Sequence, residues 1–509
     1  MSRAISAPAI ARTMIRPETP TRRARWDAPA KGAILMVAAV LLALSIGSGA
    51  LWATVRDWSS TRLAMTFFLT ATVYALIYYS AMVWRVALWL RYRPMESVSD
   101  EELPRITVVI PAYNEGPLVR QAILSVGKNR YPSDKLQMIC IDDGSTDDTW
   151  EHMSAAVAQL GPDANVLLLR QPRNQGKRVA LYHGFRRATG DVFVTCDSDA
   201  VLAPDALRNG VSPLVRDPRI GAVAGCVEVL NPYESLVTRF LRGTFSLSFK
   251  FVRAYQSEFR GVYCTPGAMS IFRAEIVRKV ADEWVNETFL GARCTNGEDR
   301  HMTNLVLRDG WLTAYQQNAV VRARMPTTYK GLCGMFLRWA RSNFRETIFL
   351  CRYLFKPFRR DYLGAFRLNM LLMLSTLIVP YFLIANSWIL TATNQIYALR
   401  HAGLIVLYAL TMAAVYYRNE RDSDWIWLLF YKVYWVIGLS WIWPYAIFTC
   451  RRGGWLTRNT GADRPAQPFA TPAMLLSTGP ISTEELRPIP VPVAASLPVS
   501  ASAPVPHAA

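Results

Sequence analysis

Two aspartates one residue apart, Asp197 and Asp199, have the type and spacing to bind a metal ion. They follow the β-branched run 192–195, which predicts a short strand. Two such carboxylates can place oxygens around a hard divalent cation such as Mg²⁺ or Mn²⁺, and that cation would neutralise a departing diphosphate. Taken alone, the Asp-Ser-Asp sequence fits a solvated loop after a strand equally well.

Polar residues also follow two other predicted strands. The run 106–110 leads into Ala112, Asn114 and Glu115, and the run 138–141 leads into Asp143. The motif around Asp143, Asp-Asp-Gly-Ser-Thr-Asp-Asp, is typical of a turn and a helix N-cap, but Asp143 and Lys177 could also hold a nucleotide. Neither a G-x-x-x-x-G-K-[ST] motif nor a strand–G-x-G-x-x-G unit occurs, which excludes a P-loop or dinucleotide-type grip on the phosphates.

Two later segments carry further candidates. Glu298 and Asp299 follow Thr-Asn-Gly and predict the first turn of a helix, where acids are stabilising, but a carboxylate there could equally be a general base. Farther on, Arg338, Arg341 and Arg345 recur at i, i+3 and i+7. That spacing predicts a basic amphipathic helix in the membrane interface. Trp339 on this helix could offer a stacking face to a sugar.

The elements that must position these residues alternate along the region 94–365. Short β-branched runs occur at 106–110, 138–141, 166–169, 192–195 and 223–229, separated by stretches of helical length such as 117–126 and 176–188. This alternation predicts a largely parallel sheet with helices on its faces. Ligands bind outside the carboxyl ends of such strands, which is where the acidic motifs lie.

Apolar segments flank this region on both sides. The chain has a formal net charge of +19 and is 51% hydrophobic, which is typical of a membrane protein with a basic cytoplasmic face. The charge-free stretches 32–55 and 63–84 predict a two-helix hairpin, with the N-terminus and the following domain in the cytoplasm. The stretches 368–399 and 402–417 predict two more crossings. A full crossing by 425–450 would place Arg451 and Arg452 outside, so an interfacial or re-entrant path is favoured there.

The predicted organisation therefore has seven parts. They are a cytoplasmic basic N-terminus (1–31), a transmembrane hairpin (32–93), a cytoplasmic catalytic domain (94–330), amphipathic interface helices (331–365), transmembrane or re-entrant segments (366–450), a loop (451–461) and a disordered Pro/Ala-rich tail (462–509).

Taken together, the motifs resemble those of processive family 2 glycosyltransferases, and of hyaluronan synthases in particular. The resemblance covers roughly residues 35–460 and rests on I-D-D-G-S-T-D-D, C-D-S-D-A, C-T-N-G-E-D-R-H-M-T-N, R-W-A-R-S-N-F-R-E and G-G-W-L-T-R. Nodulation chitooligosaccharide synthases share the middle motifs. The resemblance implies an α/β GT-A-like (Rossmann-like) domain inserted between α-helical transmembrane segments, in a multi-pass protein of the inner (plasma) membrane. It also implies a UDP-sugar donor, a growing polysaccharide acceptor, Mg²⁺ or Mn²⁺, and export of the product.

The same resemblance implies roles for individual residues. Asp299, beside Glu298, would deprotonate the acceptor hydroxyl in an inverting displacement. Donor binding would involve Ala112, Asn114, Glu115, Asp143, Lys177, Arg178 and Asp197, and the metal would be held by Asp197 and Asp199. Acceptor and diphosphate contacts would come from Cys264, Cys294, Arg338, Trp339, Trp455, Thr457 and Arg458. The chain departs from the family pattern at Met335, where a Gln is expected, at Cys264-Thr265-Pro266-Gly267, where S-G-P is expected, and at Leu456, where a Gly is expected.

Other functions remain open on the sequence. A non-processive transferase acting on a lipid phosphate explains the acidic motifs and Met335, and the polymer could also be chitin-like or a glucan. A transporter or receptor is disfavoured because the apolar spans hold almost no ionisable residue apart from Lys432. A nucleic-acid partner is disfavoured because the basic residues mainly flank the spans and no recognition motif is present. The sequence does not indicate an oligomeric state.

Overall fold

The computed structural model describes residues 24–50, 62–359, 364–375 and 391–452 apart from 393, together with 379 and 389. The predicted disordered tail lies outside these residues. So do most of the basic N-terminus, the predicted outer turn and the segment that contains Trp455, Thr457 and Arg458.

A mixed sheet of eight strands forms the centre of the region 94–330, which the sequence predicts to be the catalytic domain. The strands of the chain are β1 (Ile106–Ala112), β2 (Leu136–Asp142), β3 (Val166–Arg170), β4 (Val192–Thr195), β5 (Ala200–Leu202), β6 (Ile220–Val229), β7 (Ser270–Arg273), β8 (Thr288–Phe289), β9 (Ala292–Arg293) and β10 (Leu312–Ala323). The sheet order is β3-β2-β1-β4-β7-β6-β10-β5, and β8 pairs only with β9 in a separate hairpin. All five strands expected from the β-branched runs are present, and the prediction of a largely parallel sheet is confirmed, because only β7 and β5 run against the others.

Helices connect the strands of the sheet, and further helices precede β1 and follow β10 in the sequence. They are α1 (Ala24–Gly47), α2 (Arg62–Arg91), α3 (Leu118–Gly127), α4 (Thr149–Leu160), α5 (Lys177–Arg187), α6 (Ala206–Arg216), α7 (Leu236–Ser246), α8 (Ala254–Glu258), α9 (Ala274–Val285), α10 (Glu298–Arg308), α11 (Tyr329–Leu354), α12 (Ala365–Ser375), α13 (Ile396–Glu420), α14 (Trp425–Tyr434) and α15 (Ile442–Phe448). Wider π-helical turns, Leu247–Arg253 and Trp435–Leu439, connect α7 to α8 and α14 to α15.

The core beneath α5 explains why this helix lies so close to the sheet. Gly184 faces the side chains of Val109 and Ile141, and a Cβ there would overlap Val109. On the same face, the rings of Phe185 and Phe193 are stacked with centroids 5.5 Å apart. This close packing fixes α5, and therefore Lys177 at its first position, relative to the carboxyl ends of β1 and β2.

Three described helices are long and apolar enough to cross a membrane: Trp26–Gly47, Ile396–Glu420 and Trp425–Phe448. The first two coincide with the predicted spans 32–55 and 402–417, although the helices start earlier in the sequence. The predicted span 63–84 lies within the 30-residue helix α2. The middle of the predicted span 368–399, beyond α12, lies largely outside the described residues.

The segment Trp425–Phe448 is held at both ends, by the helices α7 and α11. Just before it, Asp422 and Asp424 pair with Arg242 of α7, at 2.6 and 2.5 Å. Just after it, Thr449 accepts a hydrogen bond from Arg341 of α11. These contacts fix both ends of the segment relative to α7 and α11.

Candidate active site

The carboxyl ends of β1, β2 and β4 meet at one edge of the sheet. The Asp143 backbone N–H donates to the Ala112 carbonyl (2.8 Å), which joins the ends of β1 and β2. Beyond β1, the backbone N–H of Asn114 donates to the Ser145 hydroxyl (3.0 Å). The Ser198 hydroxyl, after β4, donates to Glu115 Oε1 at 2.5 Å. The segments that follow β1, β2 and β4, which the sequence predicted to carry the candidate residues, therefore lie together.

Asp143 is buried at this edge and fixes the start of α5. Its two carboxylate oxygens accept the backbone N–H groups of Gln175 and Gly176, each at 2.8 Å. Burial, together with the neighbouring charge of Asp142, raises the pKa of Asp143 to about 7, although the two N–H groups oppose the shift. Gly176 adopts φ +94°, so the backbone can turn directly into the helix at Lys177.

Lys177 bridges two of the predicted carboxylates. Its ammonium lies 2.6 Å from Asp197 Oδ1 and 2.7 Å from Glu298 Oε1. Burial opposes the charged form of Lys177, but the two carboxylates outweigh it and raise its pKa. Burial also opposes the charge on Glu298, yet Lys177 lowers the pKa of this carboxyl to about 2. Glu298 is therefore ionised and committed to Lys177, so of the two acids at the start of α10 only Asp299 can exchange a proton near neutral pH.

The Asp299 carboxyl occupies the first turn of α10. The backbone N–H of Gly267 donates to Oδ2 (3.1 Å), and the N–H of Arg300 donates to Oδ1 (2.7 Å). Burial and then the charge of Glu298 raise the pKa of Asp299 to about 6. A carboxyl group with its pKa near the working pH is suited to accept a proton from a hydroxyl.

Packing against α11 and a core tryptophan fixes where α10 begins. Gly297 has φ +83°, and a Cβ at this position would overlap the hydroxyl of Ser342 on α11. The indole N–H of Trp284 donates to the Glu298 carbonyl (2.8 Å). The Thr303 hydroxyl donates to the Asp299 carbonyl (2.8 Å). The two acids are therefore held by buried groups from three parts of the fold.

Comparison with known proteins agrees with this arrangement. Residues 107–281 match the family model described as glycosyl transferase family 2. An N-acetylglucosaminyltransferase of Rhizobium meliloti (strain 1021) is 30% identical over 374 residues, which are 73% of this chain and 85% of the relative. The chain belongs to glycosyl transferase family 2.

Other similarities extend over most of the transferase. An N-acetylglucosaminyltransferase of Rhizobium leguminosarum bv. viciae is 29% identical over 80% of this chain and 94% of the relative. Hyaluronan synthase 2 of Rattus norvegicus is 27% identical over 69% of both chains. A solved mannosyltransferase from Pyrobaculum calidifontis, in complex with GDP-Man and Mn²⁺, covers 79% of this chain and 96% of its own, with a TM-score of 0.47 and 22% identity.

Of three further predicted residues, Cys264 lies close to Asp299, and Cys294 and Arg178 are buried. Cys264 precedes the loop that contains Gly267, and burial, with the charge of Asp299 adding, raises the pKa of its thiol to about 12. Cys294 is buried, which raises the pKa of its thiol to about 12. Arg178 points away from Lys177 into the interior, where it lies 2.7 Å from Glu287. The guanidinium of Arg178 is therefore not beside Lys177 and Asp197 at the edge of the sheet, and its predicted donor contact stays a prediction.

A buried polar cluster beneath the site was not predicted. Ligand atoms of Glu287, His301 and Glu346 lie within 4.8 Å of one another. His301 Nδ1 is 3.0 Å from Glu346 Oε2, and the guanidinium of Arg178 lies beside Glu287. Since Arg178 already compensates the charge of Glu287, we interpret this cluster as a polar link between α10 and α11. Two of its residues, His301 and Glu346, lie in the H-M-T-N and R-E segments, and Glu287 lies elsewhere in the sequence. Their separations along the chain do not match the spacing of a known metal or catalytic motif.

The helix α11 carries the predicted acceptor residues. Arg338 is partly buried, and Trp339, which is 37% exposed, packs near Phe245 at the open side of the helix. The spacing of Arg341 and Arg345 predicted that both residues face a membrane surface, but the structure differs. Both are buried and donate hydrogen bonds within the protein, and Arg345 reaches the carbonyl of Asn296, just before Glu298 and Asp299 in the sequence.

Proposed function

We propose that this protein is a processive, inverting membrane glycosyltransferase that polymerises UDP-sugars into a β-linked polysaccharide of the hyaluronan or chitin type and exports it. The observation that carries the proposal is Asp299. It is a buried carboxyl with a pKa near neutrality, and its neighbour Glu298 forms an ion pair with Lys177. Lys177 belongs to the donor edge, by which we mean Asp143, Lys177, Asp197 and Asp199 at the carboxyl ends of the strands. The relatives' names support transfer of N-acetylglucosamine, so UDP-N-acetylglucosamine is the first donor to test.

The reaction requires one proton transfer and one displacement. Asp299 takes the proton of an acceptor hydroxyl as that oxygen forms a bond to the anomeric carbon. The bond from the anomeric carbon to the diphosphate breaks, and the electron pair leaves with UDP. Attack from the opposite face inverts the configuration. Unlike a glycosidase, this transfer needs no second carboxylate to activate water.

The donor edge has the chemistry to hold a nucleoside diphosphate and a divalent cation. Asp197 is 30% exposed and Asp199 is partly exposed, so their hard carboxylate oxygens can reach a ligand outside the strands. These two residues would hold Mg²⁺ or Mn²⁺, which would supply charge neutralisation for the departing diphosphate. Lys177 contributes a fixed positive charge beside them, and Asp143 keeps that lysine in place through the loop at Gly176.

The direct test is polymer synthesis by membranes that contain the protein. Membranes are incubated with labelled UDP-sugars, singly and in pairs, and the product is digested with linkage-specific hydrolases. We expect a long β-linked product that contains N-acetylglucosamine. Transfer of a single sugar to a lipid phosphate would instead establish the non-processive alternative, and hydrolysis without transfer would contradict both.

We also propose an inner-membrane protein with a cytoplasmic catalytic domain, in which Trp425–Phe448 lies along the membrane interface. Ile437, Trp441 and Phe448 are exposed along this segment, with Phe448 at 88%. Its ends, as described above, are held by α7 and α11. An apolar face beside two anchored ends is typical of an interfacial helix.

A topology measurement tests this arrangement. We expect a reporter inserted in the predicted outer turn 56–62, between the first two spans, to be outside the cell, and one placed after Arg458 to be inside. The second position decides the path of Trp425–Phe448, because a full crossing would move the following segment outside. A reporter after Gly127, in the catalytic domain, provides the cytoplasmic control. An external C-terminal reporter would contradict the interfacial path.

Trp339 is proposed as the stacking surface for the acceptor sugar. The indole face complements the C–H side of a pyranose, so Trp339→Ala should shorten the polymer at least as strongly as it lowers donor turnover. The matched control is Phe355→Ala, at the far end of the same helix, where the ring is 77% exposed. Gel filtration at matched sugar consumption measures the lengths. Equal lengths in wild type and Trp339→Ala would assign acceptor retention elsewhere.

Met335 has a different environment from Trp339. It replaces the expected Gln and is 4% exposed within an apolar cluster, so it is a packing residue and not an open acceptor contact. A Gln here would bury an amide, which costs about 1–3 kcal/mol when it lacks a partner. Met335→Gln should therefore lower the stability of the protein, and thermal melting of the two proteins measures the difference.

A further inference from the structure

A buried arginine at the cytoplasmic end of α2 begins a continuous polar path to the active site. Arg85 donates from Nε and Nη2 to Asn369 Oδ1 on α12, at 3.0 and 2.7 Å. Asn369 Nδ2 in turn donates to the hydroxyl of Tyr263 at 2.7 Å. Among the residues that the structure describes, no carboxylate forms an ion pair with Arg85. A buried arginine without a paired acid is costly, which suggests that it has a function.

Tyr263 connects this path to the loop that holds the catalytic base. Two residues on, the backbone N–H of Thr265 donates to the Thr303 hydroxyl (3.1 Å), which itself donates to the carbonyl of Asp299 (2.8 Å). Four residues on, Gly267 donates its N–H to the Asp299 carboxylate (3.1 Å). The loop 263–267 therefore contacts the carboxylate of Asp299 directly, through Gly267, and the backbone carbonyl of Asp299 indirectly, through Thr303.

We propose that Arg85 is a positioning residue that braces the 263–267 loop through Asn369 and Tyr263, and so holds the Gly267 N–H against the catalytic carboxylate. The inference rests on the proposed function, since it assigns Asp299 as the base. Arg85 does not touch the substrate. It makes the geometry of the cytoplasmic site depend on the docking of α2 against α12.

The path from Arg85 affects one contact of the base, the hydrogen bond from the Gly267 N–H to the Asp299 carboxylate. Several charged groups also surround this carboxylate. The titratable or charged residues that influence Asp299 are Lys177 from α5, Asp197 after β4, Cys264 in the loop, and Glu298 and Arg300 on α10. None of these is attached to the Arg85–Asn369–Tyr263 path except Cys264, whose thiol is neutral. Loosening the loop removes a hydrogen bond from the ionised form of Asp299 and leaves the other charges in place.

The test uses Arg85→Met and Tyr263→Phe in the full-length protein in membranes. Tyr263→Phe keeps the ring and its contact with Phe366, 5.3 Å away between centroids, and removes only the hydroxyl. We expect kcat to fall about tenfold in both variants, with KM for the UDP-sugar unchanged. The acidic limb of the kcat–pH profile should move to higher pH by about one unit, because a lost hydrogen bond to a charged group is of that size.

Two further variants complete the experiment. The matched control is Tyr74→Phe, which removes a hydroxyl contact between the same two helices, to Ser375 at 3.4 Å, away from the loop. It should leave kcat and the pH profile unchanged. Arg85→Lys keeps a cationic donor for Asn369 and should restore most of the rate.

The outcomes separate the brace from the proposed function. If Arg85→Met fails to fold, Tyr263→Phe decides. A folded Tyr263→Phe protein with the wild-type kcat and acidic limb would overturn the brace while leaving glycosyl transfer intact. An equal shift in Tyr74→Phe would show a general effect of helix packing and would also overturn it. Absence of transfer by the wild-type protein with every UDP-sugar would overturn the proposed function itself, and the brace with it.

Discussion

Asp299→Asn is expected to abolish measurable polymer synthesis while the protein still binds UDP. The amide keeps the shape of the carboxyl and can still accept the Gly267 N–H, but it cannot take a proton from the acceptor. Loss of a general base lowers a rate by about 10²–10⁴-fold. UDP binding should persist, because the donor edge at Asp143, Lys177 and Asp197 is unchanged. Calorimetry with UDP, beside a labelled-sugar assay, measures the two effects separately.

The pKa of Asp299 also predicts the pH dependence of rate and stability. Because the base must be ionised, the wild-type rate should fall as the pH drops through about 6. Since its folded pKa lies above the ordinary value of 3.8, the native state binds more protons than the unfolded state between these values. The contribution of Asp299 to stability therefore decreases as the pH rises through that window. Asp299→Asn should then melt at the same temperature as wild type or higher at pH 7.

The matched control is Asp309→Asn at the other end of α10, where the carboxylate pairs with Lys279 at 2.6 Å. This variant should retain both polymer synthesis and the acidic limb. Full activity in Asp299→Asn would refute the base assignment. Loss of activity with a lowered melting temperature would indicate that Asp299 supports the fold instead.

Much of the donor edge could be predicted, because residues that directly follow parallel strands lie at the same edge of the sheet. The residues after β1, β2 and β4 must meet once the strands are parallel and adjacent. Asp143 and Asp197 therefore lie at one edge, as expected. The sequence did not indicate that Lys177 would bridge Asp197 and Glu298, since α5 and α10 are more than a hundred residues apart.

The sequence did not indicate the surroundings of residues whose direction depends on tertiary packing. Arg178 follows Lys177 by one residue, and successive helical side chains point about 100° apart, so one faces the edge and the other the interior. Arg341 and Arg345 form one helical stripe, as their spacing predicts. Whether that stripe meets lipid headgroups or protein carbonyls depends on the end of α15, which periodicity does not reveal.

Hydrogen bonds across long sequence separations were also beyond prediction. Gly267 contacts Asp299 through its backbone N–H, which no residue type can signal. The only sequence feature at this loop was its departure from the family pattern at 264–267. Arg85 appeared in the sequence only as a charge that ends a span, and its link to Asn369 required the packed structure.

Removal of either carboxylate that we propose as a metal ligand is the second change with a large expected effect. Asp197→Ala and Asp199→Ala should each abolish polymer synthesis and weaken Mn²⁺-dependent UDP binding. Loss of even an outer partner of a metal ligand costs 10–100-fold in affinity, so loss of a direct ligand should cost at least about 100-fold. Both residues lie at a polar edge and not in the core, so we expect stability to change by only about 1 kcal/mol.

The two variants should differ in their effect on Lys177, and this difference separates metal binding from a general loss of charge. Asp197→Ala removes one of the two partners of Lys177 and leaves it with Glu298, whereas Asp199→Ala keeps both ion pairs. Metal-independent UDP binding should therefore change in Asp197→Ala and stay at the wild-type level in Asp199→Ala. Asp205→Ala, an exposed acid paired with Arg130 at 3.2 Å, is the control. Calorimetry with and without Mn²⁺ decides, and wild-type Mn²⁺ dependence in Asp199→Ala would remove this carboxylate from the metal site.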